Sequence, residues 1–159
     1  MAVELTYDGT LREISIDAGV LRYHEACEGT PLLLLHGSGP GVTGWRNFRG
    51  ILGTFAAHFR CLILEFPGFG VSDDFGGHPM VTAQGALGTF AEALGLDSID
   101  IIGNSMGVAV SASIMRSVNP PRFDAWSQSA ESVRTSSRPV LARASGSCRS
   151  SPRTRPASG

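Results

Sequence analysis

The continuously apolar run P-L-L-L-L-H-G, residues 31–37, constrains the fold of this chain more than any other segment. A strand with one face in water alternates apolar and polar side chains, whereas a run without alternation predicts a strand covered on both faces. A glycine-rich stretch, Gly37 to Gly44, follows it and leads into W-R-N-F-R-G-I-L-G-T-F-A-A, whose apolar residues fall at helical spacing. This order of strand, loop and helix predicts an α/β fold with a largely parallel sheet.

The segments on either side of this unit extend the same pattern up to about residue 118. Residues 11–17 and 20–26 alternate in polarity and predict a leading antiparallel β-hairpin. Two more buried strands are predicted at 61–66 and 98–103, and helices are predicted at 81–95 and from 106 onward. Strands that are apolar on both sides require helices on both faces of the sheet.

Composition places the chain among globular proteins. It has 159 residues, of which 42% are hydrophobic and 17% charged, enough for one domain with a core. No apolar run approaches the roughly 20 residues of a membrane helix, and the first ten residues lack the basic cluster of a secretory signal. We therefore expect a cytoplasmic protein without a membrane partner. Three widely spaced cysteines without a C-x-x-C pair predict reduced thiols and no metal site.

The last 39 residues differ in character from the rest. Residues 121–159 contain ten serines and seven arginines and show no helical or strand period. The chain thus divides into 1–118, the N-terminal half of a core, and 119–159, a tail predicted to be disordered. A basic arm for nucleic acid is the alternative. Since basic blocks without aromatic interleaving or a fold of their own are weak evidence for such an arm, we expect no nucleic-acid partner.

The stretch I-I-G-N-S-M-G-V, residues 101–108, places Ser105 between two glycines directly after an apolar run. This G-x-S-x-G pattern is typical of a nucleophile elbow, a strand-to-helix turn that exposes a serine hydroxyl. An oxyanion formed there would accept a hydrogen bond from the backbone N–H of Met106 and from one N–H of the loop after residue 36. The alternative is a tight turn with an idle serine.

Three motifs in a fixed order identify a family resemblance: H-G-S-G-P-G from His36, E-F-P-G-F-G-V-S-D from Glu65, and G-N-S-M-G. With G-W-R-N-F between the first two, the chain resembles the meta-cleavage-product hydrolases of the α/β-hydrolase superfamily. Those enzymes cut a carbon–carbon bond in ring-opened dienoates from aromatic or steroid degradation. The resemblance covers residues 5 to about 118 and implies an incomplete α/β-hydrolase fold.

The resemblance implies roles for particular residues. Ser105 would be the catalytic nucleophile, and the N–H groups of Ser38 and Met106 would form the oxyanion hole. Gly39, Asn47 and Asn104 would contact the substrate, although an asparagine beside a turn is also a common cap or turn former. The partner would be a small-molecule substrate, and intact relatives would form homo-oligomers.

The glycine-rich loop could alternatively bind a dinucleotide or a phosphate. Val42 stands where the third glycine of G-x-G-x-x-G belongs, however, and no G-K-[ST] follows. We therefore expect no cofactor, and the resemblance implies no metal.

A serine nucleophile needs a histidine base held by a carboxylate, and no histidine follows Ser105 in the sequence. His36 precedes the nucleophile in a fold whose order is Ser, Asp or Glu, then His, so we interpret it as a structural brace of the oxyanion loop, residues 37–41. In a shifted reading frame the codons from Arg122 onward can encode I-R-R-L-V-T-I-G, which resembles the next strand of the family. We therefore hypothesise an out-of-frame tail on a truncated, nearly inactive hydrolase. The alternatives are a general carboxylesterase of the same fold and a non-catalytic fragment.

Overall fold

A mixed β-sheet organises the parts of the chain that the computed structural model describes, residues 5–117 and 125–127. Its strands are β1 (Leu11–Ile16), β2 (Gly19–Ala26), β3 (Pro31–Leu35), β4 (Arg60–Glu65), β5 (Asp100–Gly103) and β6 (Ala125–Ser127). The order across the sheet is β1-β2-β4-β3-β5-β6. β2 pairs antiparallel with β1 and β4, whereas β4, β3, β5 and β6 run parallel. The predicted hairpin and the interior position of β3 are confirmed.

Four helices accompany the sheet in the described residues: α1 (Tyr7–Thr10), α2 (Gly44–Ala56), α3 (Pro79–Ala93) and α4 (Met106–Ser117). α2 begins after Thr43, whose hydroxyl accepts a hydrogen bond from the N–H of Arg46 at 3.0 Å. α3 begins with a proline at its first position, where no intrahelical N–H is needed, but its cap residue His78 makes no side-chain hydrogen bond. None of these helices is long and apolar enough to cross a membrane.

The core forms two layers, one on each face of the sheet. Alternate side chains of β3 point to opposite faces, so Leu33 and Leu35 join one cluster while Leu32 and Leu34 join the other. The first cluster also contains residues of α3 and α4, and the second contains the buried side of α2. Helices therefore cover both faces, as the continuous apolar runs predict.

Two elements were not predicted from the sequence. α1 is a single turn, too short to show a helical period, and its Thr6 side chain caps it by accepting from the N–H of Gly9. β6 lies within the tail in which the sequence analysis predicts no strand, and that prediction is wrong for Ala125–Ser127. This short segment pairs in parallel with the outer edge of β5. The remainder of the predicted tail lies outside the described residues.

The cysteines differ from one another. Cys61 is a free, buried thiol on β4, and burial raises its pKa to about 12. Cys27 is disulfide-bonded, so the expectation of a reduced thiol is wrong for this residue. Spacing along the chain carries no information about which cysteines the fold brings together.

Candidate active site

Ser105 lies in a sharp turn between β5 and α4, at the carboxyl end of the parallel strands. Its backbone is held in the left-handed region, at φ 51°, which residues other than glycine rarely adopt. A Cβ at Gly103 would lie 2.6 Å from the nitrogen of Val108, and a Cβ at Gly107 would be driven onto the carbonyl oxygen of Leu35. Packing of α4 against β5 and β3 therefore requires both glycines of G-x-S-x-G, and the turn leaves Ser105 exposed.

The glycine-rich loop that follows β3 passes directly against this turn. Asn104 donates its N–H to the carbonyl of Leu35 at 2.8 Å, which pins the turn to the end of β3. A Cβ built at Gly37 would lie 3.4 Å from the Cβ of Ser105. Carboxyl ends of neighbouring parallel strands meet at one edge of a sheet. The pairing of β3 with β5 therefore brings the loop and the serine together.

The backbone N–H groups of Ser38 in the loop and of Met106, the first residue of α4, donate to no other described residue. The N–H of Gly37, in contrast, donates to Asn47 Oδ1 at 3.3 Å. The N–H of Met106 also lies at the N-terminus of a twelve-residue helix, where the helix dipole favours negative charge. The groups selected from the sequence as oxyanion donors are thus unoccupied, while the adjacent Gly37 N–H is used.

Asn47 and Asn104 contact each other across the site. Asn47 Oδ1 accepts from Asn104 Nδ2 at 3.3 Å as well as from the Gly37 N–H, so one oxygen connects α2, the loop and the turn. The amide nitrogen of Asn47 and Oδ1 of Asn104 have no hydrogen-bond partner in the described part of the chain. Both side chains are exposed. One part of each amide is therefore used for bracing, and the other part remains free for a ligand.

His36 is fully buried beneath the loop. Its Nε2 accepts from the N–H of Phe66 at 3.1 Å, so Nδ1 carries the proton and donates to the carbonyl of Gly37 at 2.6 Å. Burial lowers the pKa of His36, because the charged form would lose its hydration. The ring is thereby fixed in one neutral tautomer, which agrees with its interpretation as a brace.

Glu65 is a residue of the site to which the sequence analysis assigned no role. It is 1% exposed at the end of β4, and its two oxygens accept from the N–H groups of Gly44 and Trp45 at 2.7 and 2.9 Å. The motif that begins with Glu65 contains a sequence signal for this buried carboxylate, namely the glycine at position 70. A Cβ at Gly70 would lie 2.5 Å from Glu65 Oε2. The second glycine of P-G-F-G accommodates the buried carboxylate.

The end of the same motif fastens the loop after β4 to the hairpin. Ser72 Oγ donates to the carbonyl of Glu65 at 2.7 Å. Asp73 accepts from the N–H of Val20 and from the guanidinium of Arg22, each at 3.0 Å, and these hydrogen bonds lower the pKa of Asp73. This carboxylate therefore has a structural partner on β2.

None of the four histidines is in hydrogen-bond contact with Ser105 in the described residues. His24 and His36 are buried, His58 follows α2, and His78 precedes α3. The same residues contain no group of three His, Cys, Asp or Glu side chains suited to a metal ion. The described site combines an exposed serine and backbone N–H groups without hydrogen-bond partners, with no adjacent base.

Comparison with known proteins gives a consistent family. A sequence profile described as the alpha/beta hydrolase family matches residues 32–156. A 2-hydroxy-6-oxo-2,4-heptadienoate hydrolase of Pseudomonas putida is 40% identical over 90 residues, which cover 55% of this chain and 33% of that protein. A 2-hydroxy-6-oxononadienedioate/2-hydroxy-6-oxononatrienedioate hydrolase of Cupriavidus pinatubonensis is 35% identical over 127 residues, covering 74% and 43%.

A solved structure agrees with these two relatives. The 2-hydroxy-6-oxo-6-phenylhexa-2,4-dienoate hydrolase of Rhodococcus sp. superposes with a TM-score of 0.61 at 27% identity. The superposition covers 72% of this chain and 44% of that one. The chain thus spans about a third to two-fifths of the length of the curated relatives described here.

Proposed function

Because this chain belongs to the α/β hydrolase family, we propose that Ser105 is the nucleophilic serine of a hydrolase that cleaves a carbon–carbon bond in ring-fission dienoates. The observation that carries the proposal is the exposed Ser105 in a strained turn, next to two unoccupied N–H donors. The names of the relatives, all dienoate or dienedioate hydrolases, supply the substrate class. The substrate is accordingly a small molecule from aromatic or steroid degradation.

The site supplies electrostatic stabilisation for an oxyanion. Attack at a keto carbon, by Ser105 Oγ or by a water that it orients, moves negative charge onto the keto oxygen. The N–H groups of Ser38 and Met106 are the donors for that oxygen, and loss of one such donor costs about 10²- to 10³-fold in rate. The carbon–carbon bond then breaks, and the carbon that leaves takes up the proton lost by the attacking hydroxyl or water. When water attacks, the fragment with the former keto carbon is released directly as a carboxylic acid. When Ser105 Oγ attacks, that fragment first forms an ester with Ser105, which a water then hydrolyses to the acid.

The free parts of the two asparagines are suited to the dienoate itself. The amide nitrogen of Asn47 donates and the Oδ1 of Asn104 accepts, so together they match a carboxylate or keto oxygen and an enol hydroxyl. Gly39, which lacks a side chain and has φ 144°, leaves the substrate access to the loop backbone. We propose these three residues as substrate contacts, with Asn47 also bracing the loop.

No histidine follows Ser105 in this sequence, so the serine has no general base from the usual position. Loss of a triad member removes most of the catalytic rate of a serine hydrolase. We expect the purified chain to consume a ring-fission dienoate no faster than its Ser105→Ala variant. The loss of the substrate's conjugated absorption measures the consumption. Turnover near an ordinary enzyme rate of roughly 10 s⁻¹ in the parent chain, lost in Ser105→Ala, would support Ser105 as the nucleophile but contradict the expected inactivity of this chain.

A shift of reading frame near residues 119–122 accounts for the absence of a histidine that could act as the general base. In the shifted frame L-V-T takes the place of Ala125–Ser127, the residues that pair with β5 as β6. Resequencing the gene across the codons for residues 118–124 tests this point. We expect a single inserted or deleted base, and an intact frame would make the tail a genuine part of the protein.

The frame-restored protein separates carbon–carbon hydrolysis from general esterase activity. We expect its kcat/KM to be much higher on a ring-fission dienoate than on a p-nitrophenyl ester. The reverse preference would assign it to the carboxylesterases of the same fold. Size-exclusion chromatography of that protein tests the further proposal that it forms a homo-oligomer.

A further inference from the structure

Glu65 caps a helix that belongs to a different part of the chain. Its bidentate carboxylate takes the first two N–H groups of α2, those of Gly44 and Trp45. Thr43 Oγ1 takes the third, that of Arg46. These three N–H groups have no intrahelical partner, so the carboxylate and the cap together satisfy the first three N–H groups of the helix.

The capped end of α2 holds both ends of the oxyanion loop. Asn47 Oδ1 accepts from the N–H of Gly37 at the start of the loop, and Arg46 Nη1 donates to the carbonyl of Gly41 at its end, at 3.2 Å. Asn47 also contacts Asn104, the residue before the nucleophile. The position of this helix end therefore determines where Ser38 presents its N–H.

The carboxylate is held by these N–H groups and not by a charged histidine. His36 Nε2 accepts from Phe66 and so carries a lone pair, although it lies 3.9 Å from Glu65 Oε2. Thr10 donates its hydroxyl proton to Thr6 and therefore accepts from His24 Nδ1, which leaves His24 Nε2 unprotonated, 3.8 Å from Glu65 Oε1. Neither ring donates to the carboxylate, so its charge is balanced by the N-terminus of α2.

We propose that Glu65 is a positioning residue for the oxyanion hole, acting through α2 and Asn47 on Gly37 and Ser38. This inference rests on the proposed function for its catalytic meaning, but its structural content is independent of any substrate. The surroundings leave little freedom to the carboxylate, since a Cβ at Gly70 would lie 2.5 Å and one at Gly44 3.2 Å from its oxygens.

Amide hydrogen exchange of the full chain, without substrate, tests the relay of contacts from Glu65 through α2 and Asn47 to Gly37. In Glu65→Gln one of the two N–H acceptors becomes an amide donor. We expect exchange at Gly37 and at Gly44 or Trp45 to accelerate about 10- to 100-fold beyond the change in the β3 amides, as for loss of a hydrogen bond to a charged group. Glu65→Asp keeps the negative charge, but its side chain is one methylene shorter and does not reach both N–H groups. This variant provides the test if Glu65→Gln does not fold.

Two further variants distinguish positioning from general stabilisation. Glu25→Gln is the matched control, because it removes a buried carboxylate that pairs with Arg60 at 2.7 Å, away from the loop. It should accelerate exchange at Gly37 no more than in β3. Asn47→Ala should free Gly37 but leave Gly44 protected, which sets the direction of the relay.

The inference is overturned if the exchange rate of the Gly37 amide changes no more than those of the β3 amides in both Glu65→Gln and Glu65→Asp, as we expect for Glu25→Gln. Absence of carbon–carbon hydrolysis in the frame-restored protein would refute the proposed function and leave these exchange rates unaffected.

Discussion

At the scale of single residues, Gly107 has the strictest packing requirement of the site. The first turn of α4 lies directly on the end of β3, and a Cβ at this position would meet the backbone of Leu35, with its carbonyl carbon 2.7 Å away. Backbone atoms of an interior strand have little room to move. The G-x-S-x-G spacing predicted the turn, but only the fold shows that the second glycine is needed for contact with β3.

Gly107→Ala should therefore lower the free energy of unfolding by about 1–3 kcal/mol or more, as overpacking does. Gly85→Ala is the matched control, since Gly85 lies in α3 with nothing within 4 Å of its added Cβ. That change should stabilise the chain by about 0.5–1 kcal/mol through helix propensity. Urea denaturation measures both, and equal effects would refute the packing argument.

His24 is the buried group with the clearest consequence for pH. It packs between Tyr7 and Trp45, with ring centroids 4.8 and 4.6 Å away, and its Nε2 has no hydrogen-bond partner in the described structure. Burial lowers its pKa from 6.5 to about 4. Between these values the unfolded chain binds a proton that the folded chain does not, so stability falls as the pH falls from about 6.5 towards 4.

The loss attributable to His24 amounts to about 3 kcal/mol over that range. His24→Phe keeps an aromatic ring between the same neighbours but cannot titrate. We expect its unfolding free energy, from urea titrations at several pH values, to depend less on pH than that of the parent chain. Parallel pH profiles would show that His24 is already protonated in the fold or exposed to water.

At the scale of elements, α2 and α3 begin in different ways. Thr43 caps α2 with its hydroxyl. α3 instead begins with Pro79, and the side chain of its N-cap residue His78 makes no capping hydrogen bond. The hydrophobic period predicted both helices, and the apolar runs predicted β3, β4 and β5. The cap supplied by Glu65 was not predictable, because it joins residues twenty positions apart that meet only after β4 and α2 pack together.

The two helix starts predict opposite responses to substitution. Thr43→Ala should cost about 1 kcal/mol, because the N–H of Arg46 loses its acceptor. His78→Asp should instead stabilise the chain by about 0.5–1 kcal/mol, since aspartate supplies both a cap and a favourable charge. Thermal unfolding compares the pair, and a destabilising His78→Asp would mean that the imidazole already serves α3.

At the scale of the whole molecule, the sheet is most completely paired at its centre. β3 and β4 have a neighbour on each side, and β5 lies between β3 and the three-residue β6. The sequence predicted the buried strands β3, β4 and β5 along the chain, as well as helices on both faces, but not the order of the strands across the sheet. It did not predict β6, because A-W-S shows no strand period. These three residues form a strand through their backbone pairing with the outer edge of β5.

Hydrogen exchange should therefore divide the molecule by position in the sheet. We expect the slowest exchange in β3 and β4, intermediate rates in β5, and the fastest strand exchange in β1, whose outer edge is open in the described residues. Mass spectrometry of peptides from exchanged protein measures this order. Uniform protection across the strands would indicate that the described sheet unfolds as one unit.

The central position of β3 also matters while the protein is being synthesised. Leu32, Leu33, Leu34 and Leu35 leave the ribosome well before their partners in β4 and β5, which lie about 30 and 70 residues further along the chain. At typical rates of about 5–20 residues per second, this apolar segment waits for several seconds without its native neighbours. The residues most completely shielded in the finished fold are thus those that a nascent-chain chaperone would have most reason to bind.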